Sequence, residues 1–303
     1  MTANDDKASD IKAGEKGALV SIGAYLLLAA AKIAFGYFSG SKALTADGLN
    51  NTTDIIASVA ILIGLRISQK PPDRDHPYGH LRAQTISSLV ASFIMATVSI
   101  QVLIQAVRAL FQDAGEAPGM IAGWVSLGSA VCMYAVYRYN RGVAKRINNN
   151  ALMAAAQDNR SDMLVSIGVA VGVFGSGFGV SWLDPVAAIV VGFMIAKTAW
   201  DIFKEASHAL SDGFDVGELD SFRQTAASVP GVSRIKDIRA RIHGNHVLVD
   251  IIVLVDPELS VADSHAIADH IERRMRKRHN VYYAHVHIEP LRPMDMQLTQ
   301  PQP

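Results

Sequence analysis

Asn50-Asn51-Thr52-Thr53-Asp54-Ile55-Ile56-Ala57-Ser58 places an amide and a carboxylate four residues apart inside an apolar block that runs over 43–66. Asp158-Asn159-Arg160-Ser161-Asp162-Met163-Leu164-Val165-Ser166 places two carboxylates at the same spacing inside a second block, 151–176. At helical spacing each pair shares one face, a turn apart. Asp54, Ser58 and Gly64 also keep the spacing of Asp162, Ser166 and Gly172. Corresponding segments that meet near the middle of a bilayer are a feature of transporters, so this faint repeat pairs the second and fifth apolar blocks.

Outward from these stretches the chain reads as an integral membrane protein. Its 303 residues are 50% hydrophobic and only 18% charged, with a mean hydropathy of +0.21. A spanning helix needs about 20 mostly apolar residues, and 17–39, 43–66, 85–111, 119–138, 151–176 and 183–203 meet that need. The first block is too long for a secretory leader, lacks a small-residue cleavage site and is followed by further spans. Basic residues collect before residue 17, in 66–82 and in 138–146, whereas 112–119 and 177–184 have none. Under the positive-inside rule the basic segments are cytoplasmic, which puts both termini inside a cell membrane crossed six times. The 28 Lys and Arg balance the 28 Asp and Glu, so no basic stripe for nucleic acid is expected. A lone cysteine, Cys132, excludes an internal disulfide framework and a Cys-rich metal site.

After Ala206 the pattern changes. A polar helix is predicted over 216–229, ending at Pro230-Gly231, then a strand from Ile235 to Ile242 and a turn at His243-Gly244-Asn245-His246. Val247, Val249, Ile251, Val253 and Val255 alternate along one face of a second strand. Ser260 with Asp263 is a capping pair for a helix to about Lys277, and Val281 to Glu289 forms a third strand. The expected organisation is a cytosolic tail at 1–16, a six-helix transmembrane domain at 17–205, a cytosolic α+β domain of order αββαβ at 206–291 and a disordered tail at 292–303.

The intramembrane polar residues carry the chemistry. A carboxylate at the bilayer centre costs about 2.5–3.5 kcal/mol on insertion scales, so Asp54, Asp158 and Asp162 need a compensating partner. A divalent cation held by Asn50, Asp54, Asp158 and Asp162 supplies it and leaves a charge of about −1 that a proton can share. The bland alternative is that these acids cap helix ends or face water. Asp47, one turn before Asn50, is read as a cap near the outer edge, with a place at the mouth of the ion path as the other reading. All four candidate ligands bind through oxygen, which suits Mn²⁺, Mg²⁺ and Ca²⁺ rather than Zn²⁺ or Cu²⁺.

These pairs, the loop Asp73-Arg74-Asp75-His76-Pro77-Tyr78-Gly79-His80 and the terminal α+β domain together resemble the cation diffusion facilitator family over roughly 15–291. The resemblance implies a homodimer that exports divalent cations from the cytosol in exchange for protons. Zinc-transporting members carry His or Asp at the position of Asn50 and His at that of Asp158. The set found here resembles the manganese-exporting branch instead. It also implies a second metal at Asp73, His76 and His80, against which a structured turn with merely hydrogen-bonded histidines stands level. His265, His287 and Glu289 match ligands of a regulatory site in the cytosolic domain, but Lys236 and Ile252 stand where further histidines are expected. Arg82 and Asp212 match a charge pair between the membrane part and the cytosolic domain.

The leading expectation is a Mn²⁺ exporter with no cofactor beyond its cargo. Fe²⁺, Co²⁺ or Zn²⁺ export is the alternative within the class. A membrane metalloenzyme is disfavoured because the spans offer no nucleophile–base pair and no HExxH. A non-transporting metal sensor is disfavoured because it has no need of a complete membrane site.

Overall fold

A computed structural model describes residues 3–111, 118–146, 150–244 and 246–292. The tail expected at 292–303 falls outside the described residues from 293 onward, as do Asn245 of the predicted turn and most of the 112–119 loop. Six long helices come first: α1 (Ala3–Ser39), α2 (Lys42–Ser68), α3 (Ala83–Phe111), α4 (Ile121–Arg146), α5 (Asn150–Gly177) and α6 (Leu183–Leu210). The segment expected as an N-terminal tail is thus continuous with the first helix from Ala3. The smaller elements follow in the expected order: α7 (Val216–Ala227), β1 (Arg234–His243), β2 (His246–Val255), α8 (Val261–His279) and β3 (Tyr283–Pro290).

The chain forms two compact units, one of Met1–Ala60 with Val90–Ile202 and one of Ile61–Leu89 with Phe203–Pro303. In the first unit the usual distribution of residues is reversed. Leu26, Phe93, Trp124 and Phe193 are exposed, while Lys32, Asp47, Asn51, Asn140, Asn159 and Ser166 are fully buried. That arrangement suits a protein whose solvent is lipid, where polar groups turn inward to find partners. Its apolar core is mostly alanine and valine, including Ala43, Ala46, Ala106, Ala122, Val165, Val169, Val173 and Ala188, since close helix contacts in membranes favour small side chains.

Among the described residues, four stretches are long and apolar enough to cross a membrane by themselves: Leu19–Ser39, α2, α3 and α6. Helices α4 and α5 fall short because they carry the inward polar residues, Ser126, Ser129 and Asn140 on one and Asn159, Asp162 and Ser166 on the other. The two glycines of the internal repeat stand at helix crossings. A Cβ on Gly64 would lie 2.7 Å from Gln84 Cα, and one on Gly172 2.6 Å from Ala187 Cβ.

In the second unit, β1 pairs antiparallel with β2 and β2 pairs parallel with β3, so β2 is central. The parallel pair is possible because α8 provides the crossover. The predicted face of Val249, Ile251, Val253 and Val255 packs on Phe222, Ala226, Ile271 and Met275 from α7 and α8. Asp215 caps α7 by accepting from Glu218 N at 2.8 Å. Ser260 caps α8, accepting from Asp263 N at 3.1 Å and donating to the Asp263 carboxylate at 2.6 Å.

His279 ends α8 with Nε2 2.7 Å from Thr225 Oγ1 and its ring 4.8 Å from that of Phe222. Burial, with Arg278 beside it, lowers its pKa below the usual imidazole value. The folded domain therefore binds fewer protons than the unfolded chain as pH falls through the ordinary imidazole range, and stability is lost in that window. The fragment from Asp212 is expected to melt at a lower temperature at about pH 5.5 than at about pH 7.5. His279→Gln should reduce the difference in a circular-dichroism melt, and an unchanged pH dependence would exclude this residue as its source.

Candidate metal centre

Asn50 and Asp54 lie on α2, and Asp162 on α5. Packing of these helices brings the three together. Asn50 Nδ2 donates to Asp162 Oδ1 at 3.4 Å and lies 3.5 Å from Asp54 Oδ2. Asp162 is 7% exposed, whereas Asp158, one turn earlier on α5, is open to its surroundings. Among the described residues Asp158 makes no hydrogen bond or ion pair, and the three acids do not converge as one tight group. The structure thus gathers three of the four expected ligands and leaves the fourth at the edge. Arg160, between the two acids of α5 in sequence, is exposed.

Sequence reasoning overlooked α1. Tyr25 Oη donates to Asp162 Oδ2 at 2.6 Å. Seven residues on, and so on the same helical face, Lys32 Nζ lies 2.9 Å from Asp47 Oδ2 with both side chains 0% exposed. Lys32 also donates to Asn51 Oδ1 at 2.8 Å and to Ser166 Oγ at 3.0 Å. Ser21, one turn before Tyr25, accepts from Asn140 at 2.7 Å and from Asn159 at 3.2 Å. A polar stripe on α1 therefore runs alongside the candidate ligands. The signal was available in the sequence: Lys32 is the one cationic residue between Gly17 and Ser41, and an ionisable residue inside a span marks function by default.

The cap expected of Asp47 is a different residue's work. Asp184 at the start of α6 accepts from Ser41 Oγ at 2.6 Å and from Lys42 N at 2.7 Å, and Ser41 Oγ accepts from Leu44 N at 3.0 Å. Asp47 sits past the first turn of α2, where backbone N–H groups already have carbonyl partners. It has no donor to cap and pairs with Lys32 instead.

In the second unit, Asp73 Oδ1 accepts from the backbone N–H of His76 at 2.7 Å and of Asp75 at 3.0 Å, and lies 3.1 Å from His76 Nδ1. Its other oxygen is 3.5 Å from His80 Nε2, and the two imidazole rings are 4.2 Å apart. The His76 backbone N–H is the main reason the Asp73 carboxyl titrates below its usual range. The structured turn and the metal reading therefore coincide, because the turn itself gathers one carboxylate and two imidazoles within 4.8 Å. Arg82 donates to Asp212 Oδ1 at 2.5 Å, joining the 69–82 loop to the end of α6. Asp212 is held at φ 59°, a left-handed conformation that Asp tolerates better than most residues.

The three cytosolic candidates stand apart within one chain. His287 Nε2 is 3.7 Å from Glu289 Oε1, but Glu289 Oε2 is taken by Lys236 at 2.6 Å. His265 lies on α8 and faces Asp269 at 3.6 Å. Among the described residues, His265, His287 and Glu289 form no common ligand group within the single chain.

Residues 18–211 match the cation efflux transmembrane domain and residues 214–291 the cation efflux protein cytoplasmic domain. The chain belongs to the cation efflux family, whose members are membrane transporters. It is 56% identical over 286 residues to the manganese efflux system protein MneS of Bacillus subtilis, covering 94% of this chain and 99% of that one. The manganese efflux system protein MneP of the same organism is 32% identical over 284 residues, covering 91% of this chain and 95% of that one.

Proposed function

We propose that this protein exports Mn²⁺ from the cytosol as a homodimer, with both termini cytoplasmic and protons moving the other way. The observation that carries the reading is the hydrogen-bonded set of Asn50, Asp54 and Asp162 across α2 and α5. It offers oxygen ligands only, which favours Mn²⁺ over metals that profit from imidazole or thiolate. Similarity to MneS and MneP supports the same metal.

Asn50 turns its Nδ2 towards the acids, whereas an amide ligates a metal through oxygen. Ion binding therefore requires the amide to rotate by half a turn, exchanging two N–H···O contacts for one metal–oxygen bond. Exposed Asp158 meets an ion from the cytosolic side first and joins Asp54 and Asp162 as a ligand. Protons arriving on the carboxylates favour release, since a protonated carboxylate is a poor ligand. The loop group of Asp73, His76 and His80 holds a second cation near the cytoplasmic surface. No group beyond the cargo is needed, and the work is transport, not catalysis.

Flux of Mn²⁺, Fe²⁺, Co²⁺ and Zn²⁺ into proteoliposomes, compared side by side with and without a pH gradient, tests the reading. Mn²⁺ is expected to move fastest and to respond to the gradient. Preference for another of the four metals would replace the cargo, and absence of flux for all four would overturn export.

A further inference from the structure

Lys32 has its full complement of ammonium hydrogen bonds inside the membrane unit: Asp47 Oδ2, Asn51 Oδ1 and Ser166 Oγ. Ser166 Oγ in turn donates to Asp47 Oδ2 at 3.0 Å, closing a ring of buried groups. Each acceptor lies beside a candidate ligand in sequence. Asp47 precedes Asn50 by one turn, Asn51 follows it directly, and Ser166 is one turn beyond Asp162.

We propose that Lys32 is a built-in counter-cation that sets how tightly the transport site holds its ion. The proposal rests on the export reading above and adds to it the residue that limits affinity. Lys32 is no ligand, because an ammonium has no lone pair to offer. It acts through charge and position. Four carboxylates, Asp47, Asp54, Asp158 and Asp162, lie on two neighbouring stretches of α2 and α5. Acting together on a divalent ion they would make a well too deep for an exported ion to leave. The ammonium occupies Asp47 and repels the bound cation, and at low dielectric such repulsion decays slowly with distance. Two buried charges are costly to maintain; a crosslink alone needs neither, since apolar packing joins helices equally well.

A structural crosslink and a charge-setting role differ in sign. If the pair only ties α1 to α2 and α5, losing either partner should disturb the site in the same direction. If it sets affinity, the two losses should act oppositely. Lys32→Met exposes the ligand set to the unpaired Asp47 carboxylate and should tighten Mn²⁺ binding and slow its release. Asp47→Asn leaves the ammonium without its counter-charge and should weaken binding. The double variant removes both charges and should bring affinity back towards the wild-type value.

The test uses the full chain in proteoliposomes for KM and turnover, and in detergent for Mn²⁺ affinity by electron paramagnetic resonance. Lys32→Met is expected to lower both KM and turnover by about tenfold, and Asp47→Asn to raise KM by about tenfold. Equal-direction shifts in the two single variants, or an unchanged or raised KM in Lys32→Met, would overturn the proposal. If Lys32→Met does not reach the membrane, Asp47→Asn against the double variant decides it, and failure of the second change to reverse the first would sink the idea. Absence of wild-type Mn²⁺ flux would instead count against export, and the detergent affinity series would still judge Lys32 by the signs of its shifts.

Discussion

Asp54→Ala and Asp162→Ala are each expected to reduce Mn²⁺ flux by about a hundredfold or more at matched membrane expression. Each change removes a carboxylate from a site with few ligands, and no neighbouring group can take its place. Asp162 stands at the centre of the arrangement, accepting from Tyr25 Oη at 2.6 Å and from Asn50 Nδ2 at 3.4 Å. Its loss therefore also frees α1 from α5 at that level. Asp54 carries no bond from α1 among the described residues, so Asp54→Ala separates the loss of a ligand from the loss of that tether. Both variants should retain their helical circular-dichroism signal, since the apolar core of Val102, Val165, Val169 and Ile195 is untouched. Normal Mn²⁺ flux in either variant would remove that acid from the transport site.

Replacing Asp158 by histidine is expected to move preference from Mn²⁺ towards Zn²⁺. Asp158 is exposed and free of hydrogen bonds among the described residues, so the new ring displaces no partner and needs no repacking. Zn²⁺ gains more than Mn²⁺ from a nitrogen ligand, following the Irving–Williams order and its own tolerance of tetrahedral N/O sites. A tenfold change in the Zn²⁺/Mn²⁺ flux ratio requires about 1.4 kcal/mol of differential binding, within the reach of one ligand change. Asn50→His should push the same way. Asn50→Asp keeps an all-oxygen set and should chiefly raise affinity, while removing the amide N–H that now links Asp54 to Asp162. Competition flux on the single and double variants measures the ratio. A wild type that already prefers Zn²⁺, or histidine variants that leave the ratio unchanged, would show that ligand chemistry here does not set selectivity.

Much of the architecture follows from local sequence because its causes are local. Apolar length alone marks Leu19–Ser39, α2, α3 and α6, two-residue alternation marks β2, and Ser260 with Asp263 marks the start of α8. The i,i+4 pairs on α2 and α5 are equally local, since helix geometry by itself puts Asn50 with Asp54 and Asp158 with Asp162 on common faces. Which face meets which neighbour is a property of packing, and there the sequence reading parted from the structure. Ser58 and Ser166 are equivalent in the repeat, yet Ser58 Oγ returns to its own helix at Asp54 O, 2.8 Å away, while Ser166 Oγ reaches Asp47. Asp47 read as a cap because its position near the start of α2 fits one, but only the approach of α6 reveals that Asp184 fills that role. Sequence by itself therefore determined the helices, the strands and the acids that share a turn, because those depend on periodicity within one segment. Tertiary structure alone decided that Tyr25 and Lys32 stand beside those acids and that Asp158 stands apart, because hydrogen bonds between helices depend on the rotation and depth at which each one packs against the next.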